Sequence, residues 1–171
     1  MRRILLTCVP LGLVVGVALL SVQGVPAAQE ATPPGEAAAV TLELLGSVPT
    51  TDVPGKQLVL YRATLGPGAA VPSHVHPGQL VITIESGTIA YTPLGGEGKW
   101  AGAGTPTAAE VIAPGTEVML GPGDWFIEDP AVEHAARNAE DEPVVLLIAG
   151  LVAADQPFLQ PMDMAVATPA A

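Results

Sequence analysis

From Val40 onward the chain is cut into short apolar runs by Gly- and Pro-centred turn signals. These are Val-Pro-Gly at 53–55, Gly-Pro-Gly at 66–68, Pro-Gly at 77–78, Ser-Gly at 86–87, Pro-Gly at 114–115 and Gly-Pro-Gly at 121–123. Outside the N-terminal segment no window longer than ten residues holds a 3.6-residue apolar period. A helix of ordinary length would have no stripe to bury, whereas short strands between tight turns suit a sandwich or barrel. The pattern predicts an all-β domain with strands at 40–45, 57–65, 70–76, 79–84, 88–93, 110–112, 117–120, 125–128, 133–137 and 143–152. Aromatic residues make up only 4% of the chain against 49% hydrophobic overall, so Val, Leu, Ile and Ala must build the core. Residues 94–109, rich in Gly and Ala, read as an exposed loop between two halves. Trp100 in that loop has two readings, a lid over a pocket or a side chain packed back on the surface.

The segment before Val40 reads differently. Met1-Arg2-Arg3 is followed by an uncharged stretch at 4–20, and Val25-Pro26-Ala27 offers small side chains before Ala28. This is the three-part pattern of a secretory signal peptide. The rival is an uncleaved membrane anchor, which the shortness of the stretch and Pro10, Gly12 and Gly16 disfavour. The expected organisation is a signal peptide at 1–27, a flexible leader at 28–37, the β domain at 38–152 and a Pro/Ala-rich tail at 153–171, its first part packing through Phe158 and Leu159. The expected location is secreted or extracytoplasmic. Cys8 is the single cysteine; cleavage removes it, and disulfide and thiolate chemistry with it.

Charge narrows the partners. The 6 Lys and Arg stand against 17 Asp and Glu, for a net charge of −11. A phosphate backbone needs clustered bases, and an anionic membrane needs a basic face. Neither nucleic acid nor, after cleavage, a membrane is an expected partner.

The chain holds three histidines, His74, His76 and His134. Residues i and i+2 of a strand face the same side, so His74 and His76 can reach one metal ion. Imidazole is the commonest protein metal ligand. A lone histidine would be read as structural or superficial; the third gains meaning from its context.

That context resembles the cupin superfamily. The first cupin motif runs Gly, five residues, His-x-His, three or four residues, Glu, six residues, Gly. Here it reads Gly68, AAVPS, His74, Val75, His76, PGQ, Leu80, VITIES, Gly87. The second runs from Gly123 to His134 and Asn138 with its total spacing kept, but Asp129-Pro130-Ala131 replaces the usual Pro-x-Gly. The resemblance spans about 40–152. It implies a single jelly-roll β-barrel, a divalent metal (zinc, iron, manganese or nickel) on His74, His76 and His134, a small-molecule ligand in the barrel, and pairing of two copies through their sheets.

One departure bears on chemistry, because the family's metal-binding Glu falls at Leu80. A regular pleat turns Leu80 inward and Gln79 away; a bulge at Pro77-Gly78 would reverse them and make Gln79 a fourth ligand. Without a carboxylate, an ion on three neutral imidazoles keeps its full charge and favours an anionic ligand or hydroxide. Glu128, Asp129 and Glu133 surround the third histidine; Glu133 reads as solvated and Asp129 as a turn cap. One of Tyr61 and Arg62 is expected to face the cavity, with Arg62 better placed at the surface, and one of Trp125 and Phe126 is expected in the core. Asn138 either orients the site or closes a turn. Three readings follow. The chain is a metal-dependent protein acting on a small molecule (oxygenase, isomerase or hydrolase), a metal-free binding or sensing barrel lined by Leu80, Ile82 and Ile84, or an envelope or matrix protein that uses the barrel to dimerise.

Overall fold

The computed structural model describes residues 39–108, 110–130 and 132–162. The segment expected to be a signal peptide, with Cys8, the expected leader at 28–37, Ala109, Ala131 and the tail beyond Met162 lie outside these residues. The described residues hold twelve strands and no helix. In chain order they are β1 (Val40–Pro49), β2 (Lys56–Leu65), β3 (Ala70–Val75), β4 (Gly78–Ser86), β5 (Ile89–Pro93), β6 (Gly98–Ala101), β7 (Glu110–Ile112), β8 (Val118–Leu120), β9 (Trp125–Glu128), β10 (His134–Asn138), β11 (Val144–Ala153) and β12 (Gln160–Pro161). Six glycines in the turns, from Gly55 to Gly123, have positive φ, the conformation that turn signals of this kind anticipate.

Every strand pair is antiparallel. One sheet has the order β1-β2-β11-β4-β9-β6-β7 and the other β12-β3-β10-β5-β8. Leu65, Ile82, Phe126 and Leu146 of the first sheet and Ile89, Tyr91 and Leu120 of the second form one buried core. The aliphatic core expected from composition is there, with Tyr91 and Phe126 (ring centroids 4.5 Å apart) at its centre. The expected closed barrel is not. No ladder joins the two sheets, and β1 ends the larger one with all ten of its residues exposed.

The reading of 94–109 as loop is corrected. Within it β6 pairs with β9 (Trp100↔Phe126) and with β7 (Gly98↔Ile112). Its Gly and Ala lack strand propensity, but pairing on both sides overrides a weak local preference. Gly98 is needed there, since a Cβ would lie 3.3 Å from the Tyr91 ring. Trp100 is half-buried against the core and does not line the cavity described below, so it is no lid. A second missed element, β12, pairs with β3 (Gln160↔Val75) and holds the preceding Phe158 against Tyr61, 4.4 Å between ring centroids.

Gly78 opens β4 where the chain leaves the His-x-His strand. A Cβ there would sit 2.0 Å from the Leu151 carbonyl oxygen and 2.6 Å from the Val152 Cα. Both atoms belong to backbone that cannot step aside. Gly78→Ala should therefore lower the urea unfolding free energy by about 3 kcal/mol, the upper range for single substitutions. A loss below about 0.5 kcal/mol would mean that this approach is misplaced.

Candidate metal centre

The strand register delivers the three histidines to one point. In the β10–β3 pair His134 lies opposite His74, and His76 follows β3 on the same face. All three are buried. One ring nitrogen from each lies within 4.8 Å of the others, and the ring centroids are 4.3 to 5.2 Å apart.

Each ring is oriented from behind. Nδ1 of His74 donates to the Pro72 carbonyl (2.7 Å), that of His76 to the Phe158 carbonyl (2.6 Å) and that of His134 to the Val132 carbonyl (2.8 Å). A carbonyl only accepts, so all three protons sit on Nδ1, and three Nε2 lone pairs remain to face the shared space. A backbone carbonyl behind the ring is the usual partner of a metal-binding imidazole.

A carboxylate flanks the cluster beside two of its rings. The Glu128 carboxylate is buried, with Oε1 at 3.0 Å from His134 Nε2 and Oε2 at 3.2 Å from His76 Nε2. The approach to His134 is short but not aligned as a hydrogen bond, and that Nε2 is a buried atom with no hydrogen-bond partner among the described residues. The Glu128 oxygens and the Nε2 atoms of His76 and His134 are all acceptors, and they repel one another unless they share a cation. Burial disfavours charge on His134, but the adjacent Glu128 outweighs it and raises its pKa. Burial also opposes ionisation of Glu128, yet His134 and His76 hold its carboxyl well below the ordinary range. Burial first, then His134, pushes His74 down to about 4, so that ring stays neutral.

The donor set fits a divalent ion. Imidazole nitrogens bind zinc at about 2.0–2.1 Å, which spaces tetrahedral ligands about 3.4 Å apart. The three nitrogens, within 4.8 Å of one another, are near that spacing. Three neutral nitrogens and one carboxylate suit zinc, iron, manganese or nickel alike. This revises the expectation of a carboxylate-free site: Glu128 lowers the charge of a bound divalent ion from +2 to +1.

From sequence, Glu128 is one of three acids near the third histidine weighed as a direct ligand or base, and nothing singles it out. The missing signal is a register: in the β4–β9 pair Glu128 lies directly opposite Leu80. Glu128 thus stands across the ladder from the position where the motif carries its carboxylate. Leu80 is fully buried and points inward, as the regular pleat requires. Gln79 is exposed on the opposite face and donates to Asp129 Oδ1 at 2.7 Å, so alternation keeps its amide from the imidazoles.

The remaining candidates have structural roles. Asp129 also accepts from Lys99 (3.3 Å), and its turn closes through its backbone carbonyl, to Val132 N–H, rather than through its side chain. Glu133 is not free in solvent, because it accepts from the Ser73 hydroxyl. Asn138 is buried; its amide donates to the carbonyls of Leu65, Gly66 and Glu142 and clamps a turn. Arg62 is at the surface with Glu85, while Tyr61 packs inward. Phe126 is core; Trp125 donates to the Thr105 carbonyl.

His74 and His76 open into a cavity of about 90 Å³, and His134 lies behind them. Ile82, Phe126, Leu146, Ile148 and Phe158 are among its walls, and Val40 and Leu42 of β1 form part of its lining. Among the described residues, His74, His76 and Glu128 are its only polar lining side chains. Of the expected aliphatic lining, Ile82 is present, whereas Leu80 and Ile84 are packed within the core.

No family model matches the chain, and no curated protein matches it. Solved structures similar to it include an oxalate oxidase, at 13% identity over 61% of this chain and 46% of that one, TM-score 0.44. A cupin 2 conserved barrel domain protein from Leptotrichia buccalis is 16% identical over 68% and 43%, TM-score 0.47. A cupin superfamily protein from Desulfitobacterium hafniense is 14% identical over 69% and 82%, TM-score 0.41. The chain spans less than half the length of the first two. Its own architecture, two facing antiparallel sheets that join a His-x-His strand to a distant histidine, is of the cupin type.

Proposed function

We propose that this chain is an extracytoplasmic cupin-fold protein that holds one divalent metal ion on His74, His76, His134 and Glu128 and presents it to a small molecule in the apolar cavity. The observation that supports it is the cluster of three imidazoles, each oriented through its Nδ1 proton, with the Glu128 carboxylate beside His76 and His134. A bound ion of this kind polarises a ligand oxygen or lowers the pKa of a bound water, and iron, manganese or nickel adds redox chemistry. The protein's own part is to fix the three rings, to supply one negative charge, and to exclude bulk water with aliphatic walls.

Elemental analysis of the chain purified from Ala28 onward tests this. About one equivalent of a divalent metal is expected, and His76→Ala should lose it while keeping the β-rich circular dichroism spectrum. A metal-free protein that resists loading, with an apolar ligand in the cavity, would support the binding-barrel reading instead.

A further inference from the structure

The cavity is more selective than its metal ligands alone would make it. A ligand that touched the ion would extend into a space where no side chain can answer a second charge or a hydroxyl. The carbonyls of Pro72, Phe158 and Val132 are already occupied by the histidine rings. The four basic residues among those described are engaged elsewhere: Lys56 with the Pro77 carbonyl, Arg62 with Glu85, Lys99 with Asp129 and Arg137 with Glu117. None of them lines the cavity.

Size and charge narrow the choice further. An apolar cavity of about 150 Å³ accommodates benzene; this one offers about 90 Å³ and opens to solvent past Val40, Leu42 and Leu159, which are 44%, 45% and 37% exposed. With Glu128 ionised and the imidazoles neutral, a divalent ion leaves one net positive charge. A ligand with one negative charge neutralises it, and a neutral cluster is the form that an apolar interior tolerates best.

From this, and resting on the metal-binding reading above, we infer that the ligand is a short-chain monocarboxylate, with its carboxylate on the ion and a body of about two to five carbons against Ile82, Phe126 and Leu146. Dicarboxylates, sugars and zwitterions bind less well, because a second polar group close to the ion would lie against apolar walls without a partner among the described residues.

The test uses the full mature chain loaded with cobalt(II), whose visible spectrum reports a change of ligand. Titration with butyrate should shift the spectrum with at least tenfold higher affinity than succinate, and butanol should leave it unchanged. Leu42→Arg adds a cation at the cavity wall, at a position 45% exposed where the substitution does not disturb the core. It should raise succinate affinity at least tenfold and leave cobalt loading intact. If cobalt loads and succinate binds the unaltered chain as tightly as butyrate, or if butyrate leaves the spectrum unchanged, the inference falls while the metal centre stands. If cobalt does not load, both fall.

Discussion

Replacing His134 by Ala should abolish the stabilisation that divalent metal confers on this protein against heat. An ion that binds the native state and not the unfolded chain stabilises by mass action, by about 4 kcal/mol at a thousandfold excess over Kd. For a β domain of this size that corresponds to a rise in Tm of roughly 12–20 °C. His134 is the only histidine supplied by the second motif, and it bridges β3 and β5 at the centre of the smaller sheet. Without it the ion keeps two imidazoles from one short segment and the Glu128 carboxylate. Truncating a buried ring also costs stability by itself, about 3 kcal/mol for a large-to-small change in a packed interior. The informative quantity is therefore the difference between melts with and without metal for each protein. The unaltered chain should show the full rise, and His134→Ala and His74→Ala less than about 2 °C. A variant that melts lower but keeps the metal-dependent rise would remove its histidine from the ligand set.

Much of this centre was legible before any coordinates, and the reason is periodicity. The spacing of two in His74-Val75-His76 fixes a common face whatever surrounds it. Punctuation by Gly and Pro marks turns through φ alone, so strand limits from 56 to 153 came out within a few residues. What stayed hidden depends on pairing between distant strands. Gly98–Ala101 becomes a strand because β9 and β7 flank it, which no local preference of Gly, Lys, Trp and Ala announces. Glu128 was hidden for the same reason. Alternation in Trp125-Phe126-Ile127-Glu128 puts Phe126 and Glu128 on one face, but a glutamate beside an Asp-Pro turn reads as solvated until a register seats it against an imidazole. The open edge at β1 is likewise a property of how two sheets fail to meet, and composition does not encode it.

Exchanging residues 80 and 128 gives the sharpest test of that register. Leu80 and Glu128 face each other across β4 and β9, where opposed Cβ atoms lie about 4.5–5.5 Å apart. A carboxylate from either strand can thus reach the same ion. Glu128→Leu removes the negative charge and should weaken divalent binding by about a hundredfold or more, as loss of a metal-site carboxylate or its support commonly does. The substitution need not harm folding, since replacing a buried ionic group by an apolar one of similar volume is often neutral. Leu80→Glu alone sets two carboxylates side by side in a buried space, and should lower stability in the absence of metal by like-charge repulsion and desolvation. The pair Leu80→Glu with Glu128→Leu restores one carboxylate and one leucine from the opposite strands. Calorimetric titration with a divalent ion should find at least about tenfold of the lost affinity recovered in the double variant, a coupling that two independent sites would not show. The leucine side chain at 80 lies over Gly150, whose hypothetical Cβ would be 2.2 Å from Leu80 Cδ2, so the relocated carboxylate starts from a slightly different angle and full recovery is not expected. If Glu128→Leu binds metal as well as the unaltered chain, the carboxylate is not on the ion. If Glu128→Leu is weak and the double variant is no better, residue 80 does not reach the ion, and the carboxylate has not simply crossed from one strand to the next.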